Sequence, residues 1–282
     1  MSPTLVIMRL TVREAVRRKL VLVLLLLSLA MVGLSGWGFD RLAHTRSVTS
    51  GEVQIALPQA LILFMFMFSF VVALSASAIA SPAVSAEIES GVLQTVATRP
   101  IRRSEILIGK WLGLALLVAA YAVVVSVLEM LVVDAVSGFL PPDPAAVAGY
   151  LFAEGAVLLT LVLAISTRLS TLATGVLGVA LFGSAWLGGV VGALGTAFKI
   201  SALRTVGEVV RYLLPTDGLW HGAIYYLEPS GFISQRLAAE VGAGGNPFFA
   251  TAPPSWLYLL YAAIWWLAVL GVGIVSFARR EL

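Results

Sequence analysis

Cysteine is absent from the sequence, which excludes disulfides, thiolate metal sites and cysteine nucleophiles. Histidine is nearly absent. His44 and His221 are the two in the chain, and both fall outside the long apolar runs, where an intramembrane protease would need its base. No H-E-x-x-H, no G-x-S-x-G and no His/Asp/Glu cluster at metal-ligand spacing is present. His221 near Asp217 and Glu228 has the residue types for a metal, but an interfacial histidine is the simpler use. No catalytic residue and no metal site is therefore assigned. A phosphate-binding loop is missing too. The one Gly-Lys pair, Gly109-Lys110, is followed by Trp111 rather than Ser or Thr, so no G-x-x-x-x-G-K-[ST] loop exists to cradle a nucleotide. Charge is scarce, at 12% of residues against roughly 25% in soluble domains. With a mean hydropathy of +0.99, polar surface is too sparse to cover a water-soluble globule.

What the chain does have is long apolar runs. A spanning helix needs roughly 20 apolar residues. Six runs qualify, at about 20–39, 57–80, 111–136, 149–167, 170–195 and 256–278. The fourth is weakest because it contains Glu154. The expectation is an all-α integral membrane protein, a single membrane domain over residues 1–282 with six transmembrane helices. Lys and Arg set its orientation. With the amino terminus inside, 12 of the 18 fall in inner segments, which are shorter than the outer ones, so both termini are expected in the cytosol. The first run exceeds a signal-peptide core and follows a long basic stretch, so it reads as a retained anchor. Residues 1–19 open with Ser2-Pro3, a favourable helix start. Leu5, Met8, Val12 and Val16 then recur on one face, and Arg9, Arg13 and Arg17 on another. This is the pattern of an N-terminal interfacial amphipathic helix, with a plain positive-inside flank as the alternative. The net charge of +3 sits beside apolar runs, so it points to membrane lipids and not to nucleic acid.

Two connections are long. Residues 196–255 are external by the same count. Their stretch FKISALRTVGEVVRYLL is amphipathic and ends at Pro215, and LWHGAIYYL and FISQRLAAEV read as further short helices. These pieces are expected to cap the outer mouth or lie on the outer leaflet; a cytosolic placement would require the fifth run to be re-entrant. The 30-residue connection 81–110, SPAVSAEIESGVLQTVATRPIRRSEILIGK, is long for a link between spans. Pro82 and Pro100 punctuate it. Ser85 to Glu89 can open a short helix, and Gly91 permits a sharp turn. Ser104 can cap a following helix, with Glu105 near its positive end, that runs through Lys110 into the third span. A short surface helix between ordered connections suits docking to a partner; an ordinary polar loop is the alternative.

Glu129 and Glu154 lie in or beside spans, and helix rise puts them near the outer interface with Asp134. They form either an outer vestibule for a cation or polar cargo head, or solvated carboxylates at helix ends. Gly188-x-x-x-Gly192 permits close helix approach, for packing within the chain, for a dimer contact or as a flex point.

The pattern E-x-E-x-G-x-L followed by R-P-x-x-R-x-E-x-x-x-G-K resembles the type-two, export-type permeases of ABC transporters. Here it reads Glu87, Glu89, Gly91, Leu93, then Arg99, Pro100, Arg103, Glu105, Gly109 and Lys110. That resemblance implies six spans, an interfacial amino-terminal helix and a cytosolic coupling helix between spans two and three. It assigns Glu87, Glu89 and Gly91 to the element pressed into a cleft of the ATPase. Arg99, Pro100, Arg103 and Lys110 fall in the connection that follows, where positive-inside anchoring is the plainer role for Lys110 and Arg102. Val92 departs from the threonine that often follows the glycine. The resemblance further implies that the permease forms the translocation path. Its partners would be two separate ABC ATPase subunits, a second permease copy forming a homodimer, and an external accessory protein. ATP and Mg would bind in the ATPase, with no cofactor in this chain. The setting would be a bacterial plasma (inner) membrane; scarce Lys against abundant Arg, Ala, Val and Leu fits a GC-rich bacterial source. The long segment before the last span also resembles the subgroup with copper-enzyme maturation permeases.

Other function classes fit less well. A membrane-embedded enzyme acting on lipid or peptide would need polar residues converging at one depth. A scaffold would hold an outer protein through 196–255. A secondary transporter would show broken spans in corresponding halves, which are not evident. An ATPase partner separates the permease from the enzyme and the scaffold.

Overall fold

A computed structural model describes residues 2–17, 19–44, 50–91, 101–227, 247–250 and 252–280. The described residues form nine helices and no strand: α1 Pro3–Val16, α2 Lys19–His44, α3 Ser50–Glu89, α4 Arg103–Ser137, α5 Pro144–Ser166, α6 Thr171–Ala197, α7 Ser201–Leu213, α8 Thr216–Leu227 and α9 Trp256–Ala278. Helices are the form open to apolar runs in lipid, because each satisfies its own backbone groups. Six of them, α2 to α6 and α9, are long and apolar enough to cross a membrane. The chain is an all-α integral membrane protein.

The helix ends follow local chemistry. Asp143 Oδ1 accepts from the Ala146 N–H at 3.0 Å, and Pro144 fills the first turn, where a missing N–H does no harm. This cap starts the fourth span at Pro144 and not near 149. Gly138 closes α4 with φ of 66°, a left-handed angle that suits glycine. Ser255 Oγ caps α9 by accepting from the Tyr258 N–H at 3.2 Å.

α3 is the hub of the bundle and packs against α2, α4, α5, α6 and α8. It departs from expectation. A separate short helix was expected from Ser85 to Glu89, set off by Pro82, but α3 runs unbroken through Pro82 to Glu89. Proline removes one helix hydrogen bond, yet the surrounding turns, from Ala80 to Ser85, are buried among neighbouring helices. Burial among those neighbours keeps the segment helical through the break signal. Glu87 and Glu89 are thus the last turn of the second span. The connection itself, 92–100, lies outside the described residues, and with it any coupling helix there.

α1 lies across α4 near the end of the bundle that carries both termini, here called the base. Contact is close because Gly109 and Gly113 present no side chain. A Cβ at Gly109 would stand 2.8 Å from the Thr4 carbonyl oxygen, and one at Gly113 would stand 2.8 Å from that of Met8. α1 exposes Arg9, Arg13 and Arg17 together with Leu5 and Leu10, the surface of an interfacial helix.

The segment after α6 does not simply cap the bundle. Lys199 takes φ of 57°, and the Ile200 N–H donates back to the Gly195 carbonyl at 2.8 Å, so the chain reverses sharply. α7 then descends alongside α6 with glycine against glycine. A Cβ at Gly207 would meet Gly192 Cα at 2.4 Å, and one at Gly188 would meet Val210 Cγ1 at 2.4 Å. After Pro215, α8 climbs back, with Asp217 beside Gly189 and then Gly222 against Tyr150. Most of α8 is buried, including Trp220, Ala223, Ile224 and Leu227. The pair forms a hairpin inserted into the upper bundle, because α6 offers a glycine seam and α8 an almost uncharged sequence.

Candidate functional site

At the base, polar side chains link the ends of five helices. Lys110 is buried in α4, and its Nζ donates to Glu87 Oε1 of α3 at 2.6 Å. The pair ties the two helices that flank the 92–100 connection. Glu89 turns the other way. It accepts from the Thr171 N–H at 2.9 Å and from the Thr171 hydroxyl at 3.2 Å. Thr171 is the first residue of α6, so the carboxylate sits where the helix dipole and the unpaired N–H groups favour a negative charge. Glu105 does the same within α4, accepting from the Arg102 N–H at 2.9 Å. Arg102, and not Ser104, is therefore the capping position.

Cations close the opposite helix ends. The Arg103 guanidinium donates to the Ala278 carbonyl at 3.2 Å and also to those of Phe277 and Arg280, at the negative end of α9. Arg168, just past α5, donates to Ser276 Oγ at 2.8 Å, and Arg280 reaches the Thr167 carbonyl. Gly91 takes φ of 73° with open space around it, which suits the sharp exit from α3. Arg99 and Pro100 lie outside the described residues.

The upper acids do not form one vestibule. Asp134 is exposed. Glu129 is wholly buried and accepts from Ser35 Oγ of α2 at 2.7 Å. Glu154, also buried, accepts from Ser69 Oγ of α3 at 2.8 Å. Since α5 begins at Pro144, Glu154 stands near the middle of its helix, about 15 Å from the start. Asp217 of α8 joins it, a residue that sequence reading weighed only as a metal ligand. Burial pushes the Asp217 carboxyl above its ordinary range, against the pull of His221 and Arg211. His221 Nδ1 lies 3.5 Å from Asp217 Oδ2. Among the described residues no group of three His, Asp or Glu is spaced to hold a metal ion. Gly188 and Gly192 are occupied within the chain by Val210 and Gly207, so packing inside one subunit uses that motif.

The family model described as ABC-2 family transporter protein matches residues 5–282. The chain belongs to the ABC-2 transporter family. No curated protein matches the sequence. Membership of the ABC-2 family makes the chain a transmembrane permease component of an ABC transporter, and its six apolar helices make it a multi-pass membrane protein. Several residues of this ABC-2 permease escaped sequence reading. Gly109 and Gly113 are a small-xxx-small pair that could have been seen by spacing alone. Asp143-Pro144 is a legible helix start that would have moved Glu154 to mid-helix. Thr171, Ser69 and Thr216 carried no signal, since a lone hydroxyl in an apolar run has many uses.

Proposed function

We propose that this chain is the force-receiving permease subunit of an ATP-driven ABC transporter. Its base faces the cytosol of a bacterial plasma membrane, as the Lys and Arg distribution favours. Two separate ATPase subunits, which family membership implies, dock on the 81–110 connection and supply the ATP and Mg that this chain has no loop to bind. A second copy of the permease completes the translocation path.

The observation that carries this reading is the fastening of the connection at both ends. Glu87 locks α3 to Lys110 of α4, Glu89 locks α3 to the start of α6, and Arg103 locks α4 to the end of α9. A push on a loose loop would be absorbed by the loop. A push here moves four spanning helices together, as transport work requires.

The test is purification of the tagged chain from its native host in mild detergent, with mass spectrometry of what accompanies it and an ATPase assay. The expected result is a stoichiometric ABC ATPase whose hydrolysis drives transport in proteoliposomes. Glu89→Lys should leave assembly partly intact and uncouple hydrolysis from transport. Full coupling in that variant, or a stable oligomer with no ATPase and no hydrolysis, would overturn the proposal.

A further inference from the structure

Between α3, α5, α6 and α8 lies a small cavity of about 10 Å³, the room of one water molecule. Glu154, Thr216, Asp217 and Trp220 give it a polar lining against the rings of Phe66 and Trp186. All four polar residues are more than nine-tenths buried. Three of them bring an atom with no partner among the described residues: Glu154 Oε2, Thr216 Oγ1 and Trp220 Nε1. Native interiors leave few such groups, and three around one water-sized space call for a common explanation. An indole N–H can only donate, a carboxylate oxygen can only accept, and a hydroxyl can do either. One water that accepts from Trp220 and donates to Glu154 and to the Thr216 hydroxyl oxygen satisfies all three.

The two carboxylates make a second demand. Ionised side by side in a space walled by rings, both would lose their hydration and repel each other. Glu154 has Ser69 as its hydrogen-bond partner and no ion pair among the described residues. From α8, His221 turns Nδ1 to the Asp217 backbone carbonyl at 2.8 Å, with Asp217 Oδ2 farther off at 3.5 Å. From α7, Arg211 attracts Asp217, but its guanidinium lies over the Tyr258 ring at 4.8 Å. From α9, Tyr258 brings a phenol whose hydroxyl donates to the Pro215 carbonyl. From α6, Gly189 brings no side chain at all, and a Cβ there would strike Asp217 Oδ1 at 2.1 Å. One shared proton removes the repulsion and leaves a hydrogen-bonded chain.

We propose that this cavity is a proton-binding site, in which Glu154 and Asp217 hold one proton between them through a single bridging water, and that the bound proton keeps the α7–α8 hairpin seated on α5. When the proton leaves to bulk solution, two negative charges face each other and the hairpin lifts, letting water reach both.

Hydrogen–deuterium exchange of the full chain in lipid nanodiscs tests this, read on peptides within 216–227 from mildly acidic to alkaline pH and corrected for intrinsic exchange. If opening releases one proton, the corrected rate rises about tenfold per pH unit until the site is empty. Glu154→Gln, which keeps a bond to Ser69 without a titrating group, should abolish that slope and leave α8 protected. Asp217→Asn serves the same purpose if Glu154→Gln fails to fold. His221→Gln and Glu129→Gln should keep the slope. A wild-type rate that follows intrinsic exchange alone overturns the proposal. So does a slope that survives in both Glu154→Gln and Asp217→Asn, or one lost in His221→Gln. Protection that depends on sodium or potassium at fixed pH would assign the cavity to a metal cation and overturn the proton.

Discussion

Lys110 and Glu154 are both buried, both ionisable and carried by adjacent helices, yet their surroundings are opposite. Lys110 meets a carboxylate at 2.6 Å, in a belt where Glu89, Glu105 and Arg103 each bind the end of a helix. Glu154 meets a serine and turns its second oxygen toward a cavity. A buried ion held by its counter-ion fixes geometry, because breaking it strands a charge in a poor solvent. A buried acid without one keeps its environment open to a proton or a water. The base is built to hold its shape while the loop between α3 and α4 is pushed. The upper bundle is built around a contact that can change.

Substitutions can break or sharpen that contrast. The largest effect is expected in the upper bundle. Gly207→Leu drives a side chain into Gly192 Cα, where backbone meets backbone and neither side can yield. It should lower stability by about 3 kcal/mol, the upper range for overpacking, measured as thermal unfolding in detergent, with exchange accelerating first in α7 and α8. Glu87→Gln is next. It strands the buried Lys110 ammonium, and the expected loss is about 2 kcal/mol. That is less than the 3–5 kcal/mol typical of a fully buried pair, because the Glu87 side chain keeps 29% of its exposure. Lys110→Met should cost less than Glu87→Gln, since water can still reach the carboxylate left behind. Equal losses in the two variants would mean that the pair is not asymmetric in burial. Arg103→Ala removes the cation from the end of α9 and should cost about 1 kcal/mol, seen as faster exchange over 275–280 with little change elsewhere. Glu89→Gln is the smallest, at about 0.5 kcal/mol, because an amide oxygen can still accept from the Thr171 N–H and only the charge at the helix start is lost. A stability loss larger than that of Glu87→Gln would mean that Glu89 anchors the base and not merely the start of α6.

The spans were legible because hydropathy and the Lys and Arg bias act over twenty residues at a time, and single errors average out. The loop pattern from Glu87 to Lys110 was legible as a motif, but its residues' partners were not. Glu87 and Lys110 are 23 positions apart, and nothing in the sequence says that one faces the other and not water or lipid phosphate. Pro82 misled because a proline's local penalty is visible in sequence while the packing that overrides it is not. α8 misled in the opposite direction: LWHGAIYYL is too short to span, and short apolar helices look alike whether they lie on a surface or insert beside Tyr150. The cavity was invisible for a stronger reason. Residues of α3, α5, α6 and α8 build it, so it exists only once the bundle has formed.

The unbroken run of α3 from Ser50 to Glu89 makes the helix a torsion shaft. Glu87 follows Ser69 by 18 positions, about five full turns at 3.6 residues each and about 27 Å along the axis. The two side chains therefore leave the shaft in the same direction. A twist applied where Glu87 grips α4 arrives in phase where Ser69 grips Glu154, so one rotation strains the ion pair at the base and the serine contact at the cavity wall in the same sense. A helix broken at Pro82 would have lost that registration.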